Sequence, residues 1–225
     1  AADEMYPPHP SPTQPRAANS FSGGAMGGRK KFLNSADGED MEGVFGTSAL
    51  PSTGFGQLDK VMEGAHRPGH FKGVAMIVNK LFNCVEAHKA YFGEKDYQQL
   101  QIIRKLVQIT NSRTKIIGCP IVREPDGLAM SSRNILLAKE ERRVASFIYQ
   151  TLSGVKEISR NLSVQESKQW VYGKFEVRKE FKLEYFEISD AETLQPLAEL
   201  EGGVRAVGCI AVYLGKVRLI DNVFL

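Results

Sequence analysis

From Leu58 onward the apolar positions recur with recognisable periods. Val74, Ile77, Val78, Leu81, Phe82 and Val85 stand at i, i+3, i+4, i+7, i+8 and i+11, which predicts one apolar face of a helix about three turns long. Lys89–Phe92 reads as a short strand and Gly93–Asp96 as the loop after it. A second helix follows, with Leu100, Ile103 and Val107 on its buried stripe and Ile102, Leu106 and Ile109 widening it. Thr114–Gly118 is the next strand. Strand, helix and strand in that order predict a parallel sheet with right-handed crossovers.

Past Pro120 the pattern changes. Arg123–Gly127 reads as a turn and Met130–Asn134 as a polar loop. A long helix is expected from about Lys139 to Ser159, with Val144, Ile148, Val155 and Ile158 inward. The remainder is β-rich, with strands expected at Leu183–Ser189, Val204–Leu214 and Val217–Asn222. Gly215-Lys216 fits a two-residue hairpin turn between the last two. A boundary near residue 120 then separates an α/β domain, 57–120, from a small α+β domain, 121–225.

Residues 1–56 differ from the rest. They hold six of the ten prolines and nine of the twenty-one glycines, with little apolar surface to offset the entropy of ordering. The stretch 8–53 is therefore expected to be a mobile insertion or linker. The chain carries a net charge of +3, too mild to argue for nucleic acid when the basic residues are scattered, and equally suited to anionic small molecules. No apolar run approaches the ~20 residues of a membrane span. Cys84, Cys119 and Cys209 are odd in number, far apart and without metal-ligand spacing, and read as buried reduced thiols of a cytoplasmic protein.

Four short segments can carry chemistry. Gly93-Glu94-Lys95-Asp96 lies between a strand and a helix, where unpaired N–H groups and the helix dipole favour phosphate and Lys95 adds a full charge; a capped turn with solvated charges is the alternative. Met130-Ser131-Ser132-Arg133-Asn134 offers two hydroxyls and a guanidinium to polyphosphate oxygens, or is a serine turn before a helix. Glu63–Gly73 holds His66, Arg67, His70 and Lys72, which suit a carboxylate or serve as a loop with helix-capping duties. The proline and glycines between the histidines argue against a metal pair, so no metal site is assigned. Gln98-Gln99 puts one glutamine on the ligand side of the Lys95 loop, unless both are solvated.

Together these segments resemble the pantothenate synthetase family. The resemblance rests on His66–Val74, Lys80–Asn83, Tyr91–Leu100, Val122–Asn134 and Arg218–Asn222, in that order, and covers about 57–225. Asp3–Pro7 also resembles a short family segment. The resemblance implies a Rossmann-like nucleotidyltransferase domain with a parallel sheet, incomplete here, followed by a small α+β domain that covers the active site. It implies an ATP-dependent ligase. Pantoate attacks the α-phosphate of ATP, giving pantoyl adenylate and pyrophosphate; the amine of β-alanine then displaces AMP. By the same resemblance Gly93, Glu94, Lys95, Asp96, Val122, Met130, Ser131, Ser132 and Arg133 bind ATP, accompanied by Mg²⁺, with Lys95 and Arg133 catalytic. Gln99 corresponds to a pantoate-binding position, and Arg67 and His70 lie near the cleft. A cytoplasmic homodimer is implied, with no nucleic acid or membrane partner.

The sequence also departs from the family. Its N-terminal strand, its proline-threonine-methionine-glycine…histidine-x-glycine-histidine signature and an upstream substrate-binding glutamine are absent. The resemblance places the family's proton-donating histidine in that missing part, and none of His9, His66, His70 and His88 sits in a motif matching that histidine's. An N-terminally truncated chain of impaired activity is therefore expected. The rival expectations are a non-catalytic nucleotide-binding or dimer-forming remnant, and an adenylyltransferase of the same fold.

Overall fold

The computed structural model describes residues 54–200 and 203–225, so the expectations for 8–53 and for Asp3–Pro7 lie outside the described residues. After a short helix α1 (Met62–His66) comes α2 (His70–Val85), then β1 (Lys89–Gly93), a single 3₁₀ turn (Glu94–Asp96), α3 (Tyr97–Ile109) and β2 (Lys115–Cys119). β1 and β2 pair in parallel, Lys89 opposite Lys115 and Gly93 opposite Cys119. Phe71, Ala75 and Phe82 of α2 bury against Ile102, Ile103 and Leu106 of α3. No helix among the described residues is long and apolar enough to cross a membrane.

The helix expected from the Val74 periodicity forms, but it is longer and turned. It begins at His70, and its buried row is Phe71, Ala75, Asn79 and Phe82. Ile77, Leu81 and Val85 of the expected stripe are 56%, 55% and 67% exposed, because α3 takes the adjacent face. Apolar spacing alone locates a helical stripe; it does not say which edge of the stripe a neighbour covers.

A second 3₁₀ stretch (Ser132–Leu136) replaces most of the expected polar loop. It is followed by α4 (Lys139–Val144), α5 (Phe147–Ile158) and α6 (Val164–Glu176). The single helix expected over 139–159 is thus two. The chain tightens at the junction, where the Ile148 N–H donates to Ala145 O, an i→i+3 closure. Helix α6 had no expectation, although Ser163 and Glu166 form a capping box: the Glu166 N–H donates to Ser163 Oγ at 3.2 Å and the Ser163 N–H to Glu166 Oε2 at 2.8 Å.

The last three strands, β3 (Phe181–Asp190), β4 (Ala206–Leu214) and β5 (Val217–Phe224), make an antiparallel sheet with β4 central. The β4–β5 turn is Gly215-Lys216, as expected, with Gly215 at φ +56°. Central β4 is buried on both faces, so it reads as an unbroken apolar run. Ile210, Val212 and Leu214 pack with α5 and α6, whereas Val207, Cys209 and Ala211 pack toward Met62, Tyr97 and Leu100. A bulge between Leu183 and Tyr185 shifts β3 by one residue, so Phe181 before it and Phe186 and Ile188 after it share the first of these clusters. Of the three cysteines only Cys209 is buried, its thiol pushed up to about 12 by desolvation; Cys84 is exposed, which corrects the expectation of three buried thiols.

Candidate active site

A cavity of about 60 Å³ lies where α1, the start of α2, the Lys95 turn and β5 converge. Arg67, His70, Lys95, Asp96, Gln99 and Arg133 all line it, although Arg67 and Arg133 are far apart in the chain. Ligand pockets commonly measure ~300–1,000 Å³. The lining of this cavity is rich in charged groups, and an open concavity beside it shares Arg67, Arg133 and Arg218.

The floor is built around a buried carboxylate. Glu63 on α1 accepts from Arg218 Nη1 at 3.0 Å and Nη2 at 2.5 Å and from the Tyr185 hydroxyl at 2.8 Å. Arg218 also donates to Glu184 through Nε at 2.9 Å and through Nη2. Burial alone would raise the Glu63 pKa. The hydrogen bonds from Arg218 and Tyr185 and the charges of Arg218 and Arg67 outweigh it, and hold the group below its ordinary value. The Glu63 N–H in turn donates to Gln98 Oε1, while Gln98 Nε2 donates to Leu58 O at 2.7 Å and Val61 O at 2.9 Å. Gln98 is thus committed to the backbone of the preceding segment, which leaves Gln99 as the glutamine with the freer side chain at the cavity.

Arg67 and His70 form the rim. Arg67 Nη1 lies 3.3 Å from His70 Nε2. Arginine has no acceptor, so His70 Nε2 accepts and its proton sits on Nδ1. Burial and the Arg67 charge both lower the His70 pKa, while Glu63 and Asp96 oppose them. Arg133 joins the same electrostatic neighbourhood and donates from Nη1 to Arg218 O at 3.4 Å. Among the described residues neither Lys95 nor Arg133 has a carboxylate partner within 4 Å, in contrast to Arg67 and Arg218.

The Lys95 turn follows β1 directly and leads into α3. Gly93 is extended, at φ −67° and ψ 135°, and a Cβ there would meet nothing within 4 Å. Nothing among the described residues requires glycine at this position. Glu94 flanks the turn without lining the cavity.

The Val122–Arg133 segment is a tight hairpin-like turn. Arg123 bridges Ala129, the Met130 N–H donates to Val122 O at 2.9 Å, and Gly127 adopts φ +93° beneath the Tyr149 ring. Arg123 is held by Asp221 through two hydrogen bonds, 2.7 and 3.1 Å. Only Arg133 of this segment reaches the cavity. Val122 and Met130 are 66% and 49% exposed, and Met130, Ser131 and Ser132 line a separate open concavity with Glu124 and Arg142.

No group of three or more His, Cys, Asp or Glu suited to a metal exists among the described residues. The residues to which sequence reasoning gave no particular role are Glu63, Tyr185, Asp221 and Asn222, and Arg218, which joins Glu63 to Glu184. Their signal was present only as the short run Arg218–Asn222 and as the glutamate before Gly64; nothing local marks Tyr185.

A family model described as pantoate-beta-alanine ligase matches residues 32–224. The chain is 48% identical over 183 residues to the pantothenate synthetase of Azobacteroides pseudotrichonymphae, covering 81% of this chain and 65% of that protein. It is 50% identical over 169 residues to the pantothenate synthetase of Bacteroides thetaiotaomicron, covering 75% and 60%. It thus spans less than two thirds of the length of the curated relatives it matches. Among solved structures, the pantothenate synthetase of Thermus thermophilus superposes with a TM-score of 0.70 at 42% identity, over 75% of this chain and 60% of that one. The pantoate-beta-alanine ligase of Francisella tularensis, in complex with beta-gamma ATP and beta-alanine, gives 0.54 at 34% identity over 74% and 55%. By this agreement of family model, sequence and fold, the chain belongs to the pantoate-beta-alanine ligase family.

Proposed function

We propose that the chain serves the ATP-dependent joining of pantoate to β-alanine, with residues 57–120 supplying the ATP- and pantoate-binding part and 121–225 a lid. The observation that carries this reading is the convergence of Lys95, Arg133, Arg67, His70 and Gln99 on one cavity, with Lys95 and Arg133 lacking a carboxylate partner among the described residues. In the first step a pantoate carboxylate oxygen bonds to the α-phosphorus of ATP and the bond to the β-phosphate oxygen breaks, releasing pyrophosphate. In the second the β-alanine amine bonds to the acyl carbon, the acyl–oxygen bond to AMP breaks, and the amine proton passes to solvent. Negative charge grows on phosphate oxygens in the first step, so prepositioned cations lower its barrier most. Lys95 and Arg133 take that role, with Gly93, Glu94, Asp96, Val122, Met130, Ser131 and Ser132 completing the nucleotide site. Arg67 faces the pantoate carboxylate, and Gln99 donates to and accepts from its hydroxyls.

Mg²⁺ enters as part of the substrate. There it would be held mainly by phosphate oxygens and water. A cytoplasmic homodimer completes the proposal.

The test follows AMP and pyrophosphate release by the purified chain with ATP, magnesium, pantoate and β-alanine, alone and mixed with a polypeptide carrying the remaining third of a relative. Activity on mixing, lost in Lys95→Ala and Arg133→Ala, is the expected result. Nucleotide binding without turnover in any mixture would support a non-catalytic role instead.

A further inference from the structure

Asp221 and Asn222 are neighbours on β5, 4% and 3% exposed. Successive residues of a strand point to opposite faces. The two side chains therefore reach different parts of the proposed nucleotide site. Asn222 Nδ2 donates to Glu94 O at 2.8 Å and to Lys95 O at 3.0 Å. Its two hydrogens are enough for one bond to each carbonyl. Asp221 accepts both terminal nitrogens of Arg123, whose neighbours Val122 and Met130 are joined by a backbone bond. Asp221 Oδ1 also accepts the Asn222 N–H at 2.8 Å, and Arg123 Nη2 donates to Asn222 O at 3.4 Å, which ties the two arms together.

We infer that Asp221 and Asn222 are positioning residues that set the Lys95 turn and the Val122–Met130 segment against each other from one strand. The inference rests on the ligase reading proposed above. Peptide units are planar and trans, so a carbonyl and the N–H that follows it point in opposite directions. By holding the carbonyls of Glu94 and Lys95, Asn222 fixes the orientation of the 3₁₀ turn and aims the Lys95 N–H, which the turn's own i→i+3 bonds leave unpaired, away from β5. That is a donor that a phosphate at this turn can use. In the reverse sense, Arg123 is fixed by an ion pair, a bond to Gly127 O and the Tyr149 ring 3.8 Å below it, so its segment cannot drift from β5.

The test compares the wild-type chain with Asn222→Asp, Asn222→Ala and Asn222→Gln. Asn222→Asp keeps the shape but removes both donors; Asn222→Gln keeps the donors on a longer arm. Amide exchange is read over 93–99 and, as a reference, over α5, together with the affinity for ATP in magnesium. Losing a buried donor pair should raise exchange at Lys95 and Asp96 and weaken ATP binding, each about tenfold in Asn222→Asp, with α5 unchanged and partial recovery in Asn222→Gln. Faster exchange with unaltered ATP affinity would overturn the positioning role. So would unchanged exchange in both Asn222→Asp and Asn222→Ala. Failure of the wild-type chain to bind ATP would sink the ligase reading, while the exchange comparison would still decide whether Asn222 fixes the turn.

Discussion

Glu63 and Arg218 lie 155 positions apart and meet through two hydrogen bonds, with side chains only 11% and 13% exposed. Removing one member of such a pair leaves a charge in a poorly solvated site. Arg218→Met, which also strips Glu184 of its partner, is expected to cost about 3–5 kcal/mol. Glu63→Gln keeps an acceptor for Tyr185 and Arg218 and should cost less. Urea unfolding at neutral pH measures both. A loss below about 1 kcal/mol for Arg218→Met would mean that the pair behaves like an exposed one.

The same carboxylate makes stability depend on pH. Its folded pKa lies below the ordinary value of 4.5, so the folded state holds the charged form more favourably than the unfolded chain does. The resulting stabilisation is complete above 4.5 and is lost as pH falls through the depressed folded value. Asp126 and Asp190 are lowered too, so the useful quantity is a difference between proteins. The gap in unfolding free energy between wild type and Glu63→Gln should shrink as the pH is brought from about 7 to about 3. A constant gap would exclude Glu63 as a source of the acid sensitivity.

Gly93 offers a cleaner separation of ligand binding from folding. Its backbone is extended and a Cβ would stand in open space, so Gly93→Ala should change stability by less than about 1 kcal/mol. If phosphate packs against this backbone, the added methyl will weaken ATP binding severalfold while unfolding curves superpose. Equal ATP affinity would remove Gly93 from the nucleotide site. Gly127→Ala is the contrasting control, since φ is +93° and its Cβ would come 2.4 Å from Tyr149 Cδ1. There the loss should appear in stability.

His70 is expected to be neutral at physiological pH with its proton on Nδ1. Burial is the larger cause and Arg67 the next. An imidazole titration followed by NMR should give a midpoint below the ordinary 6.5, and Arg67→Gln should move it upward part of the way. A midpoint at or above 6.5 in the wild-type chain would mean that His70 is not buried beside Arg67 in solution as it is here.

Much of this arrangement is legible in the sequence, and what escapes it has a common cause. Strand, helix and strand around residues 89–119 can be read because each element is short and its neighbours in sequence are its neighbours in space. Lys95 and Arg133 stand out through the resemblance of their segments to the family's, since taken alone each also reads as a solvated charge in a turn. The burial of α2 cannot be read from Ile77 and Leu81, since the face that α3 covers is a tertiary choice. Helix α6 escapes although its capping box is in view, because its apolar stripe of Val164, Val171 and Phe175 is thin. Glu63 looks like one polar residue among many. Its importance depends on Tyr185 and Arg218, which reach it only once the antiparallel sheet has formed.

The tether from Asn222 to the Lys95 turn spans 127 and 128 positions, and this has a consequence for the order in which the protein matures. A chain grows from its N-terminus at ~5–20 residues per second, so the turn is made roughly 6–25 s before the strand that fastens it. Until β5 has been synthesised and has paired with β4, the carbonyls of Glu94 and Lys95 lack the Asn222 donor. The nascent protein therefore carries the cations of its site long before it carries their frame. If the proposed nucleotide site is right, competence to hold a phosphate should arrive only with β5, after the turn itself has been made.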